Sequence, residues 1–259
     1  MQSAPARSSS LIRAARSLCA TLIDLAYPQD CCGCGAPLAP GAQAAFCAFC
    51  TTRLRVLSEP LCAVCGCPLG SQHSEPRCLR CNTEPPAFSR ARSWAYYSTD
   101  TGEKNPLARA VWALKYGRRL DVGRRLARLL ADNTPFEAAE HDLVVPVPLH
   151  NARLRRRGFN HACILAAAVA RHIRAPLASE ALRRIRATPS QVSLPEAARA
   201  TNVRGAFAVA DPFAIARRRI VLVDDVYTTG ATVTECATAL RTAGAAAVDV
   251  LTLARAVRC

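Results

Sequence analysis

The stretch IVLVDDVYTTGATV, from Ile220 to Val233, constrains the fold more than any other part of the chain. Four apolar β-formers, Ile220 to Val223, lead into two adjacent carboxylates, Asp224 and Asp225. A turn rich in Thr and Gly follows, and a helical pattern opens at Ala231. A short continuous apolar run reads as a strand buried on both faces. A strand, a glycine turn and a helix in that order set backbone N–H groups and a positive helix N-terminus beyond the strand's C-terminal end. Such a pocket suits a sugar phosphate. Ribose hydroxyls can donate to Asp224 and Asp225, and Thr228, Thr229, Gly230, Ala231 and Thr232 can wrap the phosphate with amides and hydroxyls. Gly230 permits the tight backbone this needs. A chain turn at Asp225 and a helix cap at Thr232 would explain single residues but not the whole string.

The string resembles the phosphoribosyl pyrophosphate signature of the type I phosphoribosyltransferases: hydrophobics, two acids, then TTGxT. Neither GxxxxGK[ST] nor GxGxxG occurs in the chain, so a P-loop and a dinucleotide fingerprint are set aside.

Cysteine spacing defines a second module. Eight of the fourteen cysteines form four CxxC pairs: Cys31/Cys34, Cys47/Cys50, Cys62/Cys65 and Cys78/Cys81. Twelve residues separate the first pair from the second, and twelve separate the third from the fourth. Two such knuckles complete a tetrahedral four-thiolate zinc shell, so the repeat predicts tandem zinc ribbons over Cys31–Cys50 and Cys62–Cys81. An interleaved pairing, first with third and second with fourth, satisfies the same spacing. Disulfides would suit a secreted domain, and a thioredoxin-like pair needs one CxxC on a βα unit rather than four in a Pro-rich stretch. Four thiolates leave no open coordination position, which makes these sites structural. Cys19, Cys163, Cys236 and Cys259 read as buried or incidental thiols, while Cys32 and Cys67 adjoin the knuckles.

After Pro85–Pro86 the pattern becomes α/β. Strands are expected at 93–98, 142–147, 206–209, 220–223 and 248–253. Helices are expected at 106–116, 120–131, 159–173, 195–203 and 231–243. Alternating strands and helices imply a parallel sheet covered on both sides. The expected organisation is an N-terminal tail and helix over 1–28, a double zinc-ribbon module over 29–84 and a phosphoribosyltransferase-like domain over 87–259. Residues 1–25 are rich in Ser, Ala and Arg in the manner of a transit peptide, yet Leu11, Ala15, Leu18, Leu22 and Leu25 recur at helical spacing. The reading adopted is a cytoplasmic protein with a leading amphipathic helix. No apolar run approaches the ~20 residues of a membrane span.

Three more constellations lie in the second module. In VVPVPLHNARLRRRGFNHA, Val144 to Ala162, a strand ends in a proline-stiffened loop carrying Arg153, Arg155, Arg156 and Arg157. Arg157, Gly158 and Asn160 are the preferred pyrophosphate-facing members, since the guanidinium fork matches phosphate oxygens. A solvated basic helix capped at Asn151 is the alternative. Arg186, Thr188, Gln191, Arg199, Asn202 and Gly205–Phe207 suggest a loop closing over a ligand, or plain surface polarity. Lys115, ending the 106–116 helix, points to the anionic pocket or simply complements the helix C-terminus. Lys and Arg number 34 against 19 acids, a net charge of +15, which favours polyanionic partners and salt-sensitive binding.

Together these residues resemble the competence protein F (ComF) family of bacterial phosphoribosyltransferase-like proteins. The resemblance runs over about residues 28–259, through the CxxC knuckles, LKYGR at Leu114–Arg118, the Val144–Ala162 segment, the Gln191 to Phe207 stretch and the acidic pair. Its basic loop usually reads RGFNQ, and here His161 stands in the place of the Gln. The resemblance implies a cytoplasmic protein of natural transformation that handles incoming single-stranded DNA and binds phosphoribosyl pyrophosphate with Mg²⁺. A competence helicase or recombination partners are implied as well. The alternative is a Mg²⁺-dependent phosphoribosyltransferase of nucleotide salvage with an unidentified acceptor. No nucleobase-reading element and no catalytic base are legible.

Overall fold

The computed structural model describes residues 29–39, 42–70, 74–98, 105–188 and 201–256. The leading helix, Gln191, Arg199, Cys19, Cys259 and most of the expected 195–203 helix lie outside them. Among the described residues the helices are α1 Ala48–Thr51, α2 Leu79–Thr83, α3 Pro106–Tyr116, α4 Leu120–Asp132, α5 Asn151–Arg157, α6 His161–His172, α7 Pro212–Ile215 and α8 Ala231–Thr242. The strands are β1 Arg90–Tyr97, β2 Leu143–Pro146, β3 Leu182–Arg184, β4 Phe207–Val209, β5 Arg219–Tyr227 and β6 Ala247–Ala256.

Four strands form one parallel sheet in the order β1-β6-β5-β2, with helices on both sides and the cysteine-rich module before it. Period-2 alternation divides β5 between two cores. Val221 and Val223 join Leu251, Leu107, Val111, Leu126 and Leu165 on one face, while Ile220 and Leu222 join Val250, Val233 and Leu240 on the other. The cysteine-rich module is shared between them. Cys31, Cys32, Phe46 and Cys50 are buried in the first core, and Cys62, Val64, Cys65 and Cys81 in the second. The two ribbons therefore dock on opposite faces of the same sheet.

The segment joining the ribbons runs along the sheet edge. Leu57 donates its N–H to Trp94 O at 3.0 Å, and Tyr96 donates to Arg55 O at 2.8 Å, which pairs the open side of β1. At the other edge Val144 donates to Pro176 O at 2.9 Å. Both borders are thus protected from further pairing. The helices start and stop as their residues require. Asn105 accepts from Leu107 N at 2.8 Å and Pro106 takes the first turn of α3, where its missing N–H costs nothing.

Four features depart from the sequence expectation. β5 does not stop before the carboxylates but continues to Tyr227, because β6 keeps pairing with it as far as Tyr227↔Arg255. The 206–209 strand lies outside the parallel sheet, antiparallel to the three-residue β3. Arg153 to Arg157 sit on a short helix, α5, rather than a loop, with His150 as its cap and Gly158 closing it at φ 85°. Cys31/Cys34 meet Cys47/Cys50, and Cys62/Cys65 meet Cys78/Cys81, so the interleaved pairing does not occur.

Candidate functional site

The acidic pair occupies a notch in the sheet. β2 pairs with β5 only through Pro146↔Val223, and proline cannot extend the ladder. Asp224 and Asp225 come next on β5, still held by β6 on one side but with no strand on the other. Asp225 is 3% exposed. Lys115 Nζ, from the last turn of α3, lies 2.9 Å from its Oδ1, and His161 Nε2, from the first turn of α6, lies 2.6 Å from its Oδ2. Arg157 Nη1 is 3.4 Å from His161 Nδ1. A guanidinium nitrogen only donates, so Nδ1 accepts and the Nε2 proton points to Asp225. Arg157, His161, Asp225 and Lys115 form one chain of contacts across three elements.

Electrostatics separate the two acids. Burial works against the charge of Asp225, but Lys115 and then His161 outweigh it and hold its carboxyl well below the usual range. Burial, followed by the neighbouring Asp225 charge, pushes the Asp224 carboxyl up to about 7. Among the described residues Asp224 accepts one hydrogen bond, from Asp225 N at 2.8 Å. Asp225 is therefore committed to the protein, and Asp224 is the acid left open to a ligand.

The turn beyond them has the expected build. Gly230 stands at φ 80° as the N-cap of α8, and a Cβ there would meet the Tyr227 ring, with Cζ 2.7 Å away. Only glycine fits both demands. Thr229 is buried and its Oγ1 accepts from Ala231 N at 3.4 Å. Thr228 and Thr232 flank this turn at the mouth and first helical turn. Asn160 does not face the notch with a free amide, because its Oδ1 accepts from Ala162 N and its Nδ2 donates to Val147 O, both at 3.1 Å. It fastens the end of β2 to the start of α6, and Gly158 reverses the chain between α5 and α6. Of the 186–207 group, Arg186 donates to Asn202 O and Arg204 O, and Arg153 reaches Thr188 O, around the β3–β4 hairpin rather than at the acids.

Sequence reasoning missed several neighbours. Trp112 and Tyr116 are 63% and 50% exposed one helical turn apart on α3, with ring centres 5.6 Å apart. The Arg157 guanidinium covers the Tyr116 ring at 5.1 Å. Arg255, at the end of β6, and Tyr227 lie beneath the turn, and nothing in their local sequence marks them.

The cysteine tetrads fit two tetrahedral zinc ions. In each, the ligand sulfurs lie within 4.8 Å of one another, and the facing pairs Cys34/Cys47 and Cys65/Cys78 are both 3.7 Å apart. A zinc–sulfur bond of ~2.3 Å gives a tetrahedral edge of ~3.8 Å. The same N–H···S bonds recur, Cys47 N to Cys31 Sγ at 3.2 Å and Cys78 N to Cys62 Sγ at 3.3 Å. Burial opposes ionisation of Cys31 and Cys62, but these and nearby amides outweigh it and lower both thiols to about 6. Left-handed Gly35 and Gly66, at φ 78° and 67°, close the matching knuckles.

Two zinc ribbons joined to a parallel α/β sheet with an acidic pair before a glycine turn define the class. The double zinc ribbon domain model matches residues 22–82. The DNA utilization protein YhgH of Escherichia coli K12 is 36% identical over 238 residues, 89% of this chain and 99% of that protein. Competence protein F of Haemophilus influenzae is 30% identical over 221 residues, 83% of this chain and 92% of that one. The chain belongs to this competence protein F and YhgH family. Among solved structures, the Bacillus subtilis glutamine phosphoribosylpyrophosphate amidotransferase aligns at 24% identity and TM-score 0.34 over 50% of this chain and 25% of that one. A Pyrococcus horikoshii purine phosphoribosyltransferase aligns at 15% identity and TM-score 0.29 over 55% and 86%. No helix among the described residues is long and apolar enough to cross a membrane.

Proposed function

We propose that the chain is a cytoplasmic DNA-handling protein of natural transformation. Its α/β unit, from residue 87, binds phosphoribosyl pyrophosphate or a related ribose phosphate, and its zinc unit, 29–84, braces that site. The observation that carries this reading is the division of labour in the acidic pair. Lys115 and His161 fix Asp225, which presents Asp224 toward the mouth of a glycine turn on a helix N-terminus. Asp224 would take the ribose hydroxyls and the Thr228–Thr232 amides and hydroxyls its 5′-phosphate. Arg157 lies on the α5 side, where it would face the pyrophosphate. A carboxylate at a notch is also the donor that magnesium uses beside substrate phosphates, and Asp224 is the residue that would hold it. Magnesium there would neutralise pyrophosphate charge.

The test is calorimetric titration of phosphoribosyl pyrophosphate and Mg²⁺ from pH 6 to 8. The ligand needs Asp224 as carboxylate, and its group titrates near about 7. Affinity should therefore rise with pH, with proton release on binding, and fall by up to about tenfold per unit below that value. Asp224→Asn should abolish the pH dependence along with most binding. Binding that is flat across this range in the wild-type protein would overturn the assignment of Asp224.

For DNA the support is the names of the relatives and a surface. Arg155 and Arg156 are exposed on α5, Arg118 reaches Arg156 O at 2.9 Å, and the Trp112–Tyr116 pair lies beside them. Backbone cations next to exposed rings suit single strands. Binding of an oligo-dT should weaken linearly on a log–log salt plot at a slope of about −0.7 per contacted phosphate, and Arg155→Ala with Arg156→Ala should flatten it by more than one unit. A salt-independent affinity would remove the DNA reading. The phosphoribosyltransferase alternative keeps the same pocket and adds turnover, read as pyrophosphate release with a panel of acceptors.

A further inference from the structure

The second ribbon and the phosphate turn are joined by a short chain of side chains. Arg255 is 4% exposed at the end of β6. Its Nη1 donates to Cys65 O at 2.7 Å, and its Nη2 lies 3.7 Å from Cys65 Sγ. Its guanidinium carbon sits 4.2 Å from the centre of the Tyr227 ring. Tyr227, 6% exposed, has Phe88 packed edge-on at 6.4 Å and occupies the space that a Cβ on Gly230 would need. Cys65, Arg255, Tyr227 and Gly230 are thus in contact one after another.

The charges make this chain conditional on the metal. Among the described residues Arg255 forms no ion pair with a carboxylate. A buried guanidinium without a counter-charge is unfavourable, and a zinc ion held by four thiolates carries net negative charge. The tetrad is therefore the partner that keeps Arg255 inside, and N–H contacts of this kind orient a metal's ligands in return. Arg255 also has somewhere to go. A cleft of about 400 Å³ lies between the ribbon and the turn, lined by Arg255, Tyr227, Thr228, Thr229 and the carboxylates Glu84 and Glu235. The first ribbon lacks the link: its buried neighbour Arg125 donates to Asp30 O at 2.6 Å and Ala44 O at 3.4 Å, on the α4 side of the sheet.

We propose that zinc in the second ribbon sets the conformation of the Thr228–Thr232 turn, with Arg255 as the positioning residue between metal and turn. This rests on reading 228–232 as the phosphate turn, so metal occupancy at one of two sites regulates ligand binding by the whole chain.

Amide exchange in the full-length protein tests it without any ligand, so the outcome is independent of whether phosphoribosyl pyrophosphate binds. Exchange is read on peptides over 228–234, with β1 and α6 as internal references and zinc content measured in parallel. Arg255→Gln should keep two zinc ions and speed exchange in the turn by about tenfold, leaving the references unchanged. Cys78→Ser, which opens the second tetrad, should do the same with one zinc lost, and Cys34→Ser, which opens the first, should leave the turn at the wild-type rate. Should Cys78→Ser unfold the chain, Arg255→Gln decides alone. A turn that exchanges at the wild-type rate in Arg255→Gln overturns the proposal, as does equal acceleration in Cys34→Ser and a folded Cys78→Ser. Acceleration spread evenly over the references would mark Arg255 as a general packing residue and overturn it too.

Discussion

Lys115→Met should destabilise the protein by about 3–5 kcal/mol, the cost typical of stripping one partner from a buried pair. The loss is uneven between the partners. The Lys115 side chain is 21% exposed and could turn to solvent if Asp225 were neutralised, whereas the Asp225 side chain is 5% exposed and has no such exit. Asp225→Asn should accordingly cost less than Lys115→Met, and the double variant should recover much of the difference in a cycle. Urea unfolding of the four proteins measures this. The pH profile gives a second signature. The folded Asp225 carboxyl lies below its ordinary range, so its contribution is complete above about pH 4 and is lost as pH falls further. Without Lys115 the folded carboxyl moves up, and the acid limb of the stability curve should shift to higher pH. Equal stability of Lys115→Met and wild type would mean that the clamp does not hold Asp225 in solution.

The second large effect concerns the metal. Metal analysis should return two zinc ions per chain, and Cys50→Ser should return one. Structural zinc in small ribbons contributes about 10–16 kcal/mol in isolated peptides, so its loss is not local. Cys31, Cys32, Phe46 and Cys50 are buried against Leu107, Val111 and Leu126, and an opened first tetrad exposes that core. Calorimetry should show the melting temperature of Cys50→Ser lower by about 10 °C or more, since about 3–5 kcal/mol corresponds to that shift in a domain of this size. A single zinc in the wild-type protein would contradict the paired tetrads.

What was legible in the sequence was local. The CxxC knuckles, the Gly230 turn and the α3, α4 and α8 boundaries follow from short-range rules of ligand spacing, backbone sterics and apolar period, and the structure places them within a residue or two. Lys115 could be named as a candidate because it ends a helix, but not matched to Asp225 over His161, since that pairing depends on how α3 and α6 cross β5. The continuation of β5 past its acids was hidden because strand length is set by the partner strand, and β6 runs on to Ala256. β3, three residues reading Leu-Arg-Arg, carries no alternation to recognise. Arg255 and Tyr227 acquire their roles only from residues 190 positions away at Cys65.

The placement of the ribbons on opposite faces of one sheet also orders events during synthesis. Each ribbon is closed by its own local cysteines, whereas β5 and β6, the strands that bury them, are translated last. At about 5–20 residues per second the ribbons stand alone for on the order of ten seconds. In that interval no core shelters their thiols, and bound zinc is what keeps them from oxidation. A cell short of zinc would lose this chain while it is still on the ribosome, before it has a pocket to lose.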